Sequence, residues 1–188
     1  VKVRDSGMPE QEYWESLFNV ELILDKMEID QDINTLVEFG CGYGTFTLPS
    51  AKRISGNIIA IDIEDEMLNI ASSRTVSKNN ITFVKRDFIA NGTGMPDNSV
   101  DYVMLFNILH HIKPLELLDE AYRILKSRGK AGLIHWNYDP STPRGPSMDI
   151  RPKPIEIKEW VLEAGFKQME YTYINLPPYH YGFVVHKQ

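Results

Sequence analysis

From residue 35 onward the chain alternates between two hydrophobic patterns. Apolar runs of seven or eight residues at 35–41, 57–63, 81–87, 100–107 and 130–137 are rich in β-branched and aromatic side chains and predict buried strands. Between them, apolar residues recur every three or four positions and predict helices. One covers 46–55. Another covers 64–78, with Met67, Ile70, Ala71 and Arg74 on one face. A third runs from Pro114 to just before Gly129, with Leu115, Leu118, Tyr122 and Leu125 sharing a face. Ile157, Trp160, Val161 and Ala164 mark a last helix stopped by Gly165, and strands near 167–175 and 181–187 close the chain. Ahead of the first strand, Trp14, Leu17, Val20, Leu24 and Met27 predict one helix over 10–28. The stretch 88–99 is full of turn residues and predicts a short turn or loop.

This alternation predicts an α/β fold whose mostly parallel sheet is covered by helices on both faces. Only "LPPYH" separates the last two strands, too short for a crossover helix, so they pair antiparallel. Ligands of such sheets bind beyond the carboxyl ends of the strands, at the topological switch point. Residues 40–45 lie at one of those ends. The chain reads as a single domain over 1–188, with 1–30 as an N-terminal helical cap. The loop 138–154, with its five prolines, follows the fifth strand on the ligand side. A connection that long inside one domain favours a functional role.

Composition narrows the function. The chain has 188 residues, 43% hydrophobic, enough for one real core, and a formal net charge of −6. It shows no run of Lys and Arg, which argues against nucleic acid as the main partner. The single cysteine, Cys41, allows no intrachain disulfide and no cysteine-based zinc site, and a reducing, cytoplasmic setting follows. There is no 18-residue apolar stretch to span a membrane and no signal-peptide pattern at the start. A monomer or a homodimer is expected.

The chemistry concentrates in "VEFGCGYGT", residues 37–45. A strand, a glycine turn and a helix start make a ready anion site, where the ligand approaches the backbone closely and free N–H groups are expected to point at it. Dinucleotide sites prefer G-x-G-x-x-G/A; here Gly40 and Gly42 fit, but the closing position is Thr45 and the third glycine comes early, at Gly44. That disfavours a nicotinamide oxidoreductase. The stretch E-F-G-C-G-Y-G resembles the first motif of class I S-adenosylmethionine-dependent methyltransferases. "EDEML", "DYVMLFNILHHI" and "EAYRILKSRGKAGLIHW" resemble later segments of that family, so the likeness covers roughly 10–188. It is closest to the small-molecule branch, including quinone-biosynthesis enzymes.

The resemblance implies a Rossmann-like three-layer sandwich with a seven-stranded sheet in the order 3-2-1-4-5-7-6, the last strand antiparallel. It implies S-adenosylmethionine as cofactor, S-adenosylhomocysteine as product and a small-molecule methyl acceptor. Asp62 would hold both ribose hydroxyls, Asp87 the adenine amino group, and Phe88 would pack near the ring. Glu38, Phe39, Gly40, Cys41, Gly42, Gly44, Ile63, Met67 and Asn107 complete the expected cofactor set. A protein that binds the cofactor without turnover is the alternative reading.

Methyl transfer from a sulfonium needs the nucleophile brought into line and water excluded; a base is required only if the nucleophile carries a proton. No fixed catalytic residue follows from the sequence. His110 and His111 are candidate bases, with helix capping and packing as the other reading. They form no metal pair, because adjacent residues do not converge and no third ligand is evident. Tyr43 either covers the cofactor or shields the loop from water. Glu38 either receives the cofactor's amino group or orients the loop. Cys41 reads as a small buried filler. Substrate-side candidates are Trp14, His111, Trp136, Tyr138, Arg144 and Arg151. The two arginines suit a carboxylate or phosphate, or are ordinary surface charges.

Overall fold

The apolar runs become the strands of one sheet. The computed structural model describes residues 7–75, 80–167 and 173–188. The strands are β1 (Thr35–Phe39), β2 (Asn57–Asp62), β3 (Ile81–Lys85), β4 (Val100–Phe106), β5 (Leu125–Trp136), β6 (Ile174–Leu176) and β7 (His180–His186). They lie in the order β3-β2-β1-β4-β5-β7-β6. The pairs from β3 to β5 are parallel, and β7 runs antiparallel to both of its neighbours. This is the Rossmann-like arrangement expected, with the order reversing between β1 and β4.

The central strands are buried on both faces, which is why they read as continuous apolar runs, while the edge strand β3 is half-exposed. Side chains nevertheless alternate between two cores. Val37, Phe39, Val103, Leu105, Leu133 and Phe183 face helices α6 (Pro114–Ile124) and α7 (Pro154–Glu163). Leu36, Ile58, Tyr102, Met104, Ile134 and Trp136 face α2 (Val20–Lys26) and α3 (Thr47–Arg53). Helix α4 (Asp65–Ser73) adds Leu68 to the second core. No helix among the described residues is long and apolar enough to cross a membrane.

Three element boundaries differ from the sequence pattern. The N-terminal helix is two helices, α1 (Gln11–Ser16) and α2. The break comes at Asn19, whose side chain accepts from the Leu22 amide and starts a new helix. After the break Ile23 and Leu24 are fully buried, and the half-buried Trp14 packs against the same core. Helix α6 stops at Ile124 and not at Gly129. The carbonyls of Arg123 and Ile124 accept from the Asn98 and Ser99 amides that lead into β4. Leu125 then turns extended and pairs with Val100. Near the end of the chain, β6 is three residues long; Lys167 makes an isolated bridge to His186, and 168–172 lie outside the described residues. So do 76–79, which include the last three residues of the helix expected over 64–78. The stretch 88–99 holds one helical turn, α5 (Phe88–Asn91), before its loop.

Tyr102 ties the N-terminal helices to the sheet. It is fully buried, and its hydroxyl donates to the Met27 carbonyl at the end of α2. Room for its hydroxyl exists because Gly132, two residues beyond its β5 partner Lys130, has no side chain; a Cβ there would overlap the Tyr102 hydroxyl and touch Phe106 Cε1 at 3.3 Å. Gly132→Ala is therefore expected to lower unfolding stability by about 2 kcal/mol, measured by urea denaturation, since overpacking of this kind displaces a buried hydrogen bond as well.

Candidate functional site

The carboxyl ends of β1 to β5 open onto a single cleft. At the end of β1, Gly40, Gly42 and Gly44 take φ values of +77°, +50° and +76°, the left-handed region that favours glycine. Their amides are already engaged. Gly40 and Cys41 both donate to the Ile61 carbonyl, at 2.9 and 3.1 Å, and Gly44 donates to the Cys41 carbonyl at 2.9 Å. The Gly42 amide donates to Asp62 Oδ2 at 2.9 Å. The loop thus presents bare backbone surface and not a ring of N–H donors, which separates it from a phosphate cradle.

Asp62 ends β2 and is 8% exposed. Its two oxygens accept from the amides of Gly42 and, at 3.0 Å, Glu64. A carboxylate has about four acceptor positions, so each oxygen retains one for a hydroxyl in the cleft. Asp87, after β3, caps α5 by accepting from the Ala90 amide at 2.9 Å. Phe88 packs on Phe39 with ring centroids 5.1 Å apart. Asn107, just past β4, holds φ +55°, and both polar atoms of its side chain are buried without a hydrogen-bond partner. The Thr45 hydroxyl is in the same condition. Orphaned polar atoms in a cleft wall mark a place where a polar ligand completes the bonding. Hydroxyl acceptors at Asp62, bare glycine backbone, and unpaired donors and acceptors at Thr45 and Asn107 fit a nucleoside joined to an amino-acid tail.

Glu38 lies beneath the loop, 2% exposed, and accepts a hydrogen bond from the Thr47 hydroxyl in the first turn of α3. Burial pushes its carboxyl up to about 8; Thr47 opposes this and the Asp62 charge adds to it. Burial, with Glu38 and Asp62 beside it, drives the Cys41 thiol far above its ordinary value, so it stays protonated.

Of the residues expected to hold a cofactor, two do not reach the cleft. Phe39 is core beneath it, and Gly44 faces Ala71 and Leu48, where it lets α3 and α4 close in. The others line the cleft. Of the candidate bases, His110 lines it, with Nδ1 3.2 Å from His135 Nε2. Burial, then the neighbouring His110 and His180, keep His135 well below the ordinary histidine range and therefore neutral. His111 is buried away from the cleft, and its Nδ1 accepts from the Lys113 amide, a local cap. Tyr43 also lies off the cleft wall; its hydroxyl donates to the Pro9 carbonyl at 2.8 Å and pins the N-terminal segment over the loop.

Among the substrate-side candidates, Trp14, Trp136 and Arg144 line the cleft. Tyr138 is 42% exposed outside it, under the Lys153 ammonium. Arg151 is buried and turned into its own loop. Its guanidinium donates to the carbonyls of Pro146, Asn137 and Asp139 and to the Thr142 hydroxyl. It has no face left for a substrate, so its role is to hold the loop in shape. Sequence reasoning missed Met8, Thr45, Phe46, Arg86, Phe106, Gly145 and Pro146, all in the cleft wall. Phe106 carried a signal, as an aromatic at a strand end next to Asn107. Met8 and Gly145 reach the cleft only through chain folding. Among the described residues no group of three or more His, Cys, Asp or Glu side chains is placed to hold a metal.

Comparison with known proteins bears on this geometry. A methyltransferase-domain family model matches residues 37–133. An uncharacterised protein of Methanocaldococcus jannaschii is 30% identical over 152 residues, 79% of this chain and 61% of that protein. A demethylmenaquinone methyltransferase of Lactobacillus johnsonii is 32% identical over 101 residues, 50% of this chain and 40% of the enzyme. The chain thus spans between 40% and 61% of the length of the curated relatives it matches first. Among solved structures, a SAM-dependent methyltransferase from Aquifex aeolicus superposes with a TM-score of 0.81 at 23% identity, covering 94% of this chain and 93% of that one. The chain belongs to the methyltransferase-domain family, in its class I form, whose cofactor is S-adenosylmethionine.

Proposed function

We propose that this protein transfers a methyl group from S-adenosylmethionine to a small-molecule acceptor by in-line displacement. The observation that carries the reading is the Asp62 carboxylate, fixed by the Gly42 and Glu64 amides at the rim of a cleft whose Thr45 and Asn107 side chains lack partners. When bound, the cofactor supplies a methyl carbon already activated by a positive sulfur. Asp62 would hold the ribose, Asp87 and Phe88 the adenine end, and Thr45 and Asn107 the amino-acid tail. The remaining task of the chain is to orient the acceptor and exclude water. The N-terminal segment and the 138–154 loop supply walls for this through Met8, Trp14, Gly145 and Pro146. His110 is the titratable group on the acceptor side that would take a proton where the nucleophile must lose one. The net charge of −6 favours a small-molecule acceptor over a nucleic acid, and the single free cysteine suits a reducing cytoplasm.

Two outcomes are expected. Calorimetry should show S-adenosylmethionine and S-adenosylhomocysteine binding at micromolar level with no heat from NAD, and Asp62→Ala should weaken both by about 100-fold, the loss expected when charge-assisted hydrogen bonds are removed. Silence with both sulfur compounds, or full affinity in Asp62→Ala, would sink the reading. The second concerns Glu38. Held near 8, it is protonated in the free protein at pH 7, and positive charge arriving in the cleft favours its ionised form. Binding of S-adenosylmethionine at pH 7 should then release about one proton, visible as a dependence of the binding enthalpy on buffer ionisation enthalpy. Release should vanish in Glu38→Gln and fade in the wild type as the pH rises past 8.

A further inference from the structure

The strand order divides the cleft into two chemically different halves. The carboxylates that line it stand on β1, on β2 and beyond, and after β3: Glu38, Asp62, Glu64 and Asp87. The half beyond β4 and β5 is aromatic. Phe106 ends β4 and Trp136 ends β5. Trp14 from α1 meets Trp136 edge-on, with centroids 6.3 Å apart, and Phe46 meets Phe106 at 5.0 Å and 88°. Phe18 and His180 pack behind Trp136, at 6.1 and 4.2 Å, so the wall is stiff. At its rim stands Arg144. Among the described residues its guanidinium donates to the Gly7 carbonyl and meets no carboxylate. The following residues, Gly145 and Pro146, bring the backbone directly over the Trp136 indole; a Cβ on Gly145 would lie 2.9 Å from Trp136 Cγ.

We infer that the methyl acceptor is a planar aromatic molecule carrying an anionic substituent, its ring against the Trp14 and Phe106 side chains that the buried Trp136 supports and its negative group on Arg144. The inference rests on the methyltransferase reading above and assigns the acceptor class within it. Rigid aromatic faces favour flat π-systems through offset and edge contacts, and they give a flexible aliphatic chain no such geometry. An ammonium would also be drawn to these faces, but Arg144 at the rim repels it. A guanidinium bonded to a neutral carbonyl retains N–H donors for a carboxylate or a similar oxyanion. Arg151, the other arginine of the loop, is withdrawn from this role by its bonds to loop carbonyls and sets the position of Arg144 and Pro146 instead.

The test uses the full chain loaded with S-adenosylhomocysteine and three probes: 2-naphthoate, 2-naphthylmethylammonium and hexanoate. By calorimetry, 2-naphthoate should bind about tenfold or more tighter than either of the others. Arg144→Gln should weaken 2-naphthoate by about tenfold and leave S-adenosylhomocysteine affinity unchanged, which also shows that the variant is folded. Trp14→Ala should weaken 2-naphthoate and leave the already weak hexanoate unchanged. Equal binding of the three probes, preference for the ammonium, or an Arg144→Gln variant that binds 2-naphthoate normally overturns the acceptor assignment while S-adenosylhomocysteine binding upholds the methyltransferase reading. Failure of S-adenosylhomocysteine itself to bind overturns both.

Discussion

The bond from the Gly42 amide to the Asp62 carboxylate joins the loop after β1 to the end of β2, and the rest of the site depends on it. It forms because β1 and β2 run parallel in a register that sets Phe39 beside Ile61. The Ile61 carbonyl then takes two amides of the same loop, so the backbone must turn through left-handed conformations at Gly40 and Gly42. A side chain at either glycine would meet strained backbone and a close neighbour, Ile108 or Met8. The same bond aims the carboxylate. Glu38 extends the arrangement below: tied to Thr47, it fixes the start of α3 under the loop and places a titratable carboxyl where charge in the cleft is felt.

The other half of the cleft is made rigid by different means. Trp136 is 2% exposed and is surrounded by Trp14, Phe18, Tyr179 and His180. Its indole forms the floor over which the loop after β5 passes. That loop is held by one buried guanidinium, Arg151, hydrogen-bonded to carbonyls and a hydroxyl. A charge satisfied by backbone carbonyls fixes the path of the backbone itself, so the wall formed by Gly145 and Pro146 keeps its shape. His180, pushed down to about 3 by burial and then by Arg151, packs there as a neutral ring against Phe18 and Trp136.

Much of this architecture is legible in the order of residues alone. The strands of a sheet buried on both faces are apolar at nearly every position, and such runs stand out against the amphipathic helices between them. Asp62 is legible for the same reason, as a charge that interrupts an apolar run, whereas Asp87 follows Lys85 and Arg86 and stands out only through the family resemblance. Helix ends are less so. Leu125 continues the apolar periodicity of α6, yet it is the first residue of β5, because the Asn98 and Ser99 amides close the helix from outside. The break at Asn19 is equally hidden, since Trp14 through Met27 keep one helical period across it.

The strands, the helices between them and the ligand edge are written in local periodicity and in glycines whose backbone freedom is intrinsic. The strand order and the family of the cofactor are carried by the resemblance of the motifs around those glycines and acids to a known family. Only the tertiary structure decided which polar groups remain available in the cleft. Arg144 and Arg151 are the same residue type in the same loop, but one stands at the rim against the Gly7 carbonyl and the other is consumed by carbonyls five to fourteen residues away. His110 and His111 are adjacent, but one faces the cleft beside His135 and the other caps its own turn. The physical reason is that a side chain's chemistry depends on the partners that satisfy its donors and acceptors, and those partners arrive from distant parts of the chain only when the sheet has formed.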